Sequence, residues 1–115
     1  MAYPRRVLIV EDEMLIALLV EDALTASGVQ VAGIATTVQE ALKEAVKTEF
    51  DCAILDVHLH GKDVYPVADA LAARGRPFVF ATGYGRGGLC EKYQDRPSLP
   101  KPFNGYDLER ALEKL

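Results

Sequence analysis

The sequence contains no tryptophan, two cysteines and two histidines, and its apolar runs fall far short of the roughly 20 residues that cross a bilayer. The short runs argue against a helical membrane span. The N-terminus, MAYPRR followed by a brief apolar stretch and then acids, lacks the form of a signal peptide. Cys52 and Cys90 stand alone, without the paired spacing of a metal site or a disulfide framework. They suit a reducing cytoplasm, Cys52 as a small core residue inside an apolar run. A basic excess is also missing, since 13 Lys and Arg against 17 Asp and Glu leave a net charge of −4. Phosphate backbones call for a basic surface, so nucleic acid is not expected as the main partner.

What is present is ordinary globular material. Of the 115 residues 50% are apolar and 26% charged, a balance that excludes a disordered chain. The length fits one domain, residues 1–115, with no room for a separate output domain. Folding should hide about two thirds of the unfolded surface, enough for one continuous core.

Hydropathy alternates between short apolar runs and amphipathic stretches. Val7–Val10, Gln30–Ala35, Cys52–Leu55 and Phe78–Ala81 read as strands, with a brief fifth around Ser98 and Leu99. Ile16, Leu19, Val20 and Ala23 form a helical stripe, closed by Gly28 where a C-cap belongs. Thr37 and Glu40 read as a capping box ahead of Val38, Ala41, Leu42 and Ala45. Val64, Val67, Ala68 and Leu71 make a third stripe, with Pro66 in its first turn and Gly75 near its end. Asn104 can cap a last helix bearing Leu108, Ala111, Leu112 and Leu115.

One segment breaks the rhythm. Residues 83–97 hold Gly83, Gly85, Gly87 and Gly88, with Leu89 and Tyr93 as a weak apolar pattern, so a fourth helix there should be short or frayed. Strands that are apolar throughout, separated by amphipathic helices, predict a parallel sheet covered on both faces. The expected fold is α/β, a small doubly wound five-stranded domain.

In such folds functional side chains gather beyond the carboxyl ends of the strands. Glu11, Asp12 and Glu13 follow the first strand, Asp56 the third, Thr82 and Gly83 the fourth, and Lys101 and Pro102 the fifth. Carboxylates after the first strand repel a phosphate unless a cation intervenes, whereas Mg²⁺ favours clustered hard oxygen ligands. With Mg²⁺ in place, Asp56 could act as nucleophile toward a phosphoryl group. Lys101 and the Thr82 hydroxyl would stabilise the transferring oxygens. Glu13 reads as a solvated acid.

The motifs Val-Glu-Asp-Glu (10–13), Ile-Leu-Asp (54–56), Ala-Thr-Gly (81–83) and Lys-Pro-Phe (101–103) resemble those of bacterial two-component response regulator receiver domains. The resemblance runs over essentially the whole chain. Residues 77–85, PFVFATGYG, look like the "FATGUY" subgroup, whose members are often stand-alone receivers or joined to sigma-factor-like regions. It implies a flavodoxin-like (βα)5 receiver fold with strand order 2-1-3-4-5. By the same resemblance Asp56 is the phosphoacceptor, Asp12 binds Mg²⁺ directly and Glu11 through water, and the main-chain carbonyl of His58 is a further ligand. Thr82 and Lys101 contact the phosphoryl group, and Pro102 follows a cis peptide bond. The implied function is that of a stand-alone, Mg²⁺-dependent response regulator in a phosphorelay. It takes phosphate from a sensor histidine kinase or phosphotransfer protein, switches binding of a downstream protein, and is a monomer or weak dimer. It is a signalling domain rather than an enzyme with its own substrate.

Three positions depart from the pattern. Ser98 stands where many receivers carry a switching aromatic, a role Tyr84 could take. His60 occupies a position that is proline in many receivers. The weak fourth helix alters the usual output face.

Other readings start from particular residues. His58 and His60, alternating in Asp-Val-His-Leu-His, could share a Zn²⁺, but no third histidine exists, and both read as loop residues, with His58 tuning access to the acyl phosphate. A haloacid-dehalogenase-type phosphohydrolase would carry a second Asp two residues after the nucleophile, where this chain has His58. A receiver-like binding module that no longer uses phosphorylation is the remaining alternative.

Overall fold

The computed structural model describes residues 6–47, 49–82, 89–101 and 103–115. Nine of its elements build the main body. They are strands β1 (Arg6–Val10), β2 (Gln30–Ala35), β3 (Cys52–Asp56), β6 (Phe78–Thr82) and β7 (Ser98–Pro100), with helices α1 (Met14–Ala26), α2 (Val38–Lys47), α3 (Tyr65–Ala73) and α4 (Gly105–Glu113). Two short strands, β4 (His58–Leu59) and β5 (Lys62–Asp63), form a separate antiparallel hairpin between β3 and α3. The five main strands are parallel in the order β2-β1-β3-β6-β7. Strand order reverses between β1 and β3, so a crevice opens beyond their carboxyl ends.

Strand pleating sorts the core. Leu8, Val10, Ala53, Leu55, Phe78 and Phe80 face α2 and α3, while Val7, Ile9, Cys52, Ile54, Val79 and Ala81 face α1 and α4. Because both faces are covered, the central strands are buried along nearly their whole length.

Local signals end the helices largely as expected. Gly28, at φ +81°, takes the left-handed position after α1, where a side chain would be strained. Asn104 and Asp107 form a complete capping box at α4, the Asn104 side chain accepting from the Asp107 N–H at 2.8 Å. At α2 the expected box is displaced. The Thr37 hydroxyl accepts from the Glu40 N–H at 3.0 Å, but the Glu40 carboxylate accepts chiefly from the N–H and hydroxyl of Thr36, with the Thr37 N–H a weaker partner.

The expected stripe on α1 is rotated. Ala17, Val20 and Leu24 are its buried residues, and Leu19 is 60% exposed. This helix is apolar nearly all round, so periodicity alone could not choose its inner face. In the connection between β6 and β7, the described residues carry one 3-10 turn (Glu91–Tyr93) in place of a fourth full helix. Leu89 and Tyr93, the two apolar residues singled out there, are both buried.

Candidate functional site: a carboxylate cluster at the sheet ends

Each strand delivers its functional side chain at the point where pairing stops. The Glu11 N–H donates to the Ala35 carbonyl at 2.9 Å, extending the ladder by one residue and burying the Glu11 side chain beside the sheet. Asp56 is itself the last residue of β3, and Thr82 the last of β6. The Lys101 N–H donates to the Thr82 carbonyl at 2.9 Å, which fixes the end of β7 against the end of β6. Glu11, Asp12, Asp56, Thr82 and Lys101 thus share one rim, Asp12 following Glu11 in the β1–α1 turn.

Lys101 is the hub of this rim. Its ammonium lies 2.8 Å from Glu11 Oε1 and 3.3 Å from Asp56 Oδ1. The other Glu11 oxygen, Oε2, accepts from the Glu13 N–H at 3.2 Å. Asp12 Oδ2 accepts from the His60 N–H at 2.9 Å. One oxygen from each of Glu11, Asp12 and Asp56 lies within 4.8 Å of the others. Two of the three carboxylates share the Lys101 ammonium, and Asp12 turns to His60, so among the described residues negative charge outnumbers positive on this rim.

The titration directions follow from this crowding. Burial, together with hydrogen bonding and repulsion from Asp56, pushes the Glu11 carboxyl up to about 7 against the pull of Lys101 and of the Glu13 N–H. Burial also acts to raise Asp12, but the His60 N–H, hydrogen bonds with Glu11 and Asp56, and the nearby His60 imidazole together hold it below its usual range. Lys101 is raised because Glu11 and Asp56 outweigh its desolvation. Three hard oxygen donors with uncompensated charge suit a small divalent cation such as Mg²⁺. The residues present fit that ion.

The remaining expected residues fall as follows. His58 lies in β4, with its imidazole 3.3 Å from Asp63, whereas the His60 imidazole lies 4.0 Å from Asp12. The two rings therefore face different carboxylates. His60 and Gly61 form the turn of a hairpin, in keeping with a loop position for His60, whereas His58 lies in a two-residue strand and not in a loop. Glu13 is exposed at the start of α1, as expected for a solvated acid. Ser98 is half-buried and pairs with Phe80 in the sheet. Tyr84, Pro102 and glycines 83, 85, 87 and 88 lie outside the described residues.

Three features escaped the sequence reading. The first is the hairpin, whose His-Gly turn is not one of the usual hairpin dipeptides. The second ties the β6–β7 connection to α3: Asp69 accepts from the Tyr93 hydroxyl and pairs with Lys92 at 3.0 Å, and the Cys90 N–H donates to the Tyr65 hydroxyl at 2.8 Å. The third is a groove of about 490 Å³ lined by Ile16, Leu19, Val20, Ala23, Lys101 and Phe103. Beside it α1 exposes Met14, Leu15, Leu18 and Leu19, with Leu15 73% exposed. The run MLIALLV held the signal for this surface, read there only as helix core.

A parallel sheet in this strand order, with acids after β1 and at the end of β3 and a lysine after β7, defines a doubly wound domain with its polar centre at the switch point. A family model, the response regulator receiver domain, matches residues 7–113. The chain belongs to that family, one of signalling domains in two-component systems. It is 36% identical over 116 residues to the transcriptional regulatory protein PdtaR of Mycobacterium tuberculosis; the match takes in 97% of this chain and 57% of that protein. The chain therefore spans little more than half the length of this curated relative. The structure of SdrG from Sphingomonas melonis Fr1 superposes with a TM-score of 0.86 at 44% identity, covering 97% of this chain and 96% of that one. SdrG has also been solved in a BeF3-activated conformation, with a TM-score of 0.83. The anti-anti-sigma factor PhyR of Bartonella quintana matches 97% of this chain over 46% of its own, at 30% identity and a TM-score of 0.78. Among the described residues no helix is long and apolar enough to cross a membrane.

Proposed function

We propose that this receiver accepts a phosphoryl group on Asp56 in a Mg²⁺-dependent reaction and thereby changes its affinity for a protein partner. The observation that carries the reading is the Lys101 ammonium set between Glu11 and Asp56, beside a third carboxylate on Asp12. An Asp56 oxygen attacks phosphorus, an O–P bond forms, and the bond to the donor breaks. When the donor is a phosphohistidine, the imidazole leaves with the electron pair of the P–N bond and takes up a proton. Glu11, Asp12, Asp56 and the His58 carbonyl are the groups that would hold Mg²⁺, which supplies charge neutralisation for the transferring oxygens. Lys101 is already within reach of Asp56 and can follow the new charge, and Thr82 supplies a hydroxyl at the neighbouring strand end.

The donor in this reading is a sensor histidine kinase or phosphotransfer protein, and the exposed apolar side of α1 gives it a surface close to Asp56. The downstream target is a protein, in keeping with the partner-binding name of the Bartonella quintana relative. The site of action is the cytoplasm and the resting state a monomer or weak dimer. The second reading, a binding module independent of phosphate, is favoured only by the same exposed α1 residues.

Intact mass after incubation with acetyl phosphate separates the two. The expected result is one phosphoryl adduct that requires Mg²⁺ and is lost completely in Asp56→Asn. An adduct that survives in that variant, or no adduct from acetyl phosphate or any kinase, contradicts phosphoacceptance.

A further inference from the structure

The β4–β5 hairpin stands beside the site and enters the chemistry just described through the His58 carbonyl alone; its turn has no part there. Leu59 pairs with Lys62, leaving His60 and Gly61 as a two-residue turn. Both turn residues are left-handed, with φ +50° at His60 and φ +77° at Gly61, as a tight hairpin of this twist requires. The hairpin is anchored at its base, where the Val64 N–H donates to the Val57 carbonyl at 2.9 Å, and Val57 is in turn held to β6 through its own N–H. Leu59 is buried in the core. The turn therefore has a fixed position relative to Asp56. From that position the His60 N–H reaches across 48 residues of sequence to Asp12 Oδ2 at 2.9 Å.

We infer that the His60–Gly61 turn is a positioning element for the divalent cation: its backbone N–H restrains the Asp12 carboxylate so that the cation meets a partly ordered ligand. This rests on the Mg²⁺ reading of the Glu11–Asp12–Asp56 cluster. An unrestrained aspartate at the mouth of the site must lose side-chain freedom when it takes up a metal; one already held by a hydrogen bond loses less. The inference also bears on which residues position 60 can hold. A proline there has no N–H and a φ near −65°, so it could make neither the bond nor the turn. Histidine tolerates the left-handed region better than most residues do. The backbone, not the imidazole, is the acting group, since the ring lies 4.0 Å from the same oxygen and is mostly exposed.

The test is Mg²⁺ affinity, followed by amide NMR shifts at about pH 8, where an ordinary imidazole is neutral. His60→Pro should bind Mg²⁺ about tenfold more weakly, a typical cost of removing an outer-sphere partner. His60→Asn and His60→Gly, which keep the N–H and accept positive φ, should restore affinity to within about twofold. Gly61→Val offers a second route, because a Cβ there meets open space and only the turn geometry suffers. It too should weaken binding, and it carries the test should His60→Pro fail to fold. In the wild type the His60 amide should be among the resonances that move on adding Mg²⁺.

Wild-type affinity in both His60→Pro and Gly61→Val would overturn the inference and leave the phosphoacceptor reading intact. So would a loss in His60→Gly equal to that in His60→Pro, which would assign the effect to the ring. Absence of Mg²⁺ binding by the wild type would overturn the metal reading and this inference together.

Discussion

The two faces of the sheet are built from the same strands and end up unlike each other. The face under α2 and α3 is aromatic: Phe78, Phe80, Tyr65 and Tyr93 form a connected set of rings with centroids 5.4 to 6.0 Å apart. It is closed at its edges by the Asp69 contacts to Lys92 and Tyr93 and by Arg76, which caps the Phe50 ring and bonds the Phe50 carbonyl at 2.8 Å. The face under α1 and α4 has a mainly aliphatic buried core with Phe103 at its edge, leaves the groove at Lys101 open, and exposes four large apolar side chains of α1. One side spends its apolar surface on stability. The other leaves some exposed to solvent, next to the carboxylates.

This contrast can be broken most strongly from the aromatic side. Phe80 is fully buried and touches three other rings, so Phe80→Ala should cost about 3–5 kcal/mol in a denaturant melt. A loss below about 1 kcal/mol would show that the rings do not anchor this face.

The rim where the faces meet should report through pH. In metal-free protein the Glu11 carboxyl is raised from 4.5 to about 7, chiefly by burial. The folded chain then holds a proton that the unfolded chain releases, so stability should fall as pH rises from about 4.5 to about 7 and level off above. Glu11→Gln should flatten that fall and be more stable above pH 7 by up to about 3 kcal/mol. A slope unchanged by the substitution would remove Glu11 as its source.

On the recognition side, Leu15→Asp with Leu19→Asp should leave the melt within about 0.5 kcal/mol, since both residues are exposed. Labelling by acetyl phosphate should be unchanged, while transfer from a protein donor slows about tenfold, equivalent to roughly 1.4 kcal/mol of lost binding. Equal transfer rates would take the donor off this surface. The smallest effect belongs to the tie across the β6–β7 connection. Tyr93→Phe keeps the ring and deletes the hydroxyl bonded to Asp69, and should cost about 1 kcal/mol. Hydrogen exchange should quicken at residues 90–94 first, and uniform quickening would contradict a local tie.

Where the sequence was legible, it was so because one physical cause dominated. Strands buried on both faces are apolar without interruption, so β1, β3 and β6 stand out with boundaries good to a residue. The acids, threonine and lysine were legible as strand-end residues because doubly wound sheets collect polar groups there. Illegible were features set by tertiary competition. On α1 nearly every residue was apolar enough to be core, and packing against β1 and α4 chose Ala17, Val20 and Leu24 over Leu19. The Glu40 carboxylate had two N–H groups in range and took the one on Thr36. The hairpin at 58–63 joins strands of two residues each, too short for any period to register.

The central claim is that one carboxylate among three neighbours receives the phosphoryl group, and borohydride trapping reads this directly. Protein treated with acetyl phosphate is reduced, digested and mapped by peptide mass, because an acyl phosphate reduces to homoserine whereas a free carboxylate does not. The account predicts homoserine at position 56 alone, dependent on Mg²⁺. Homoserine at position 12, or at several acids without regard to Mg²⁺, would contradict it.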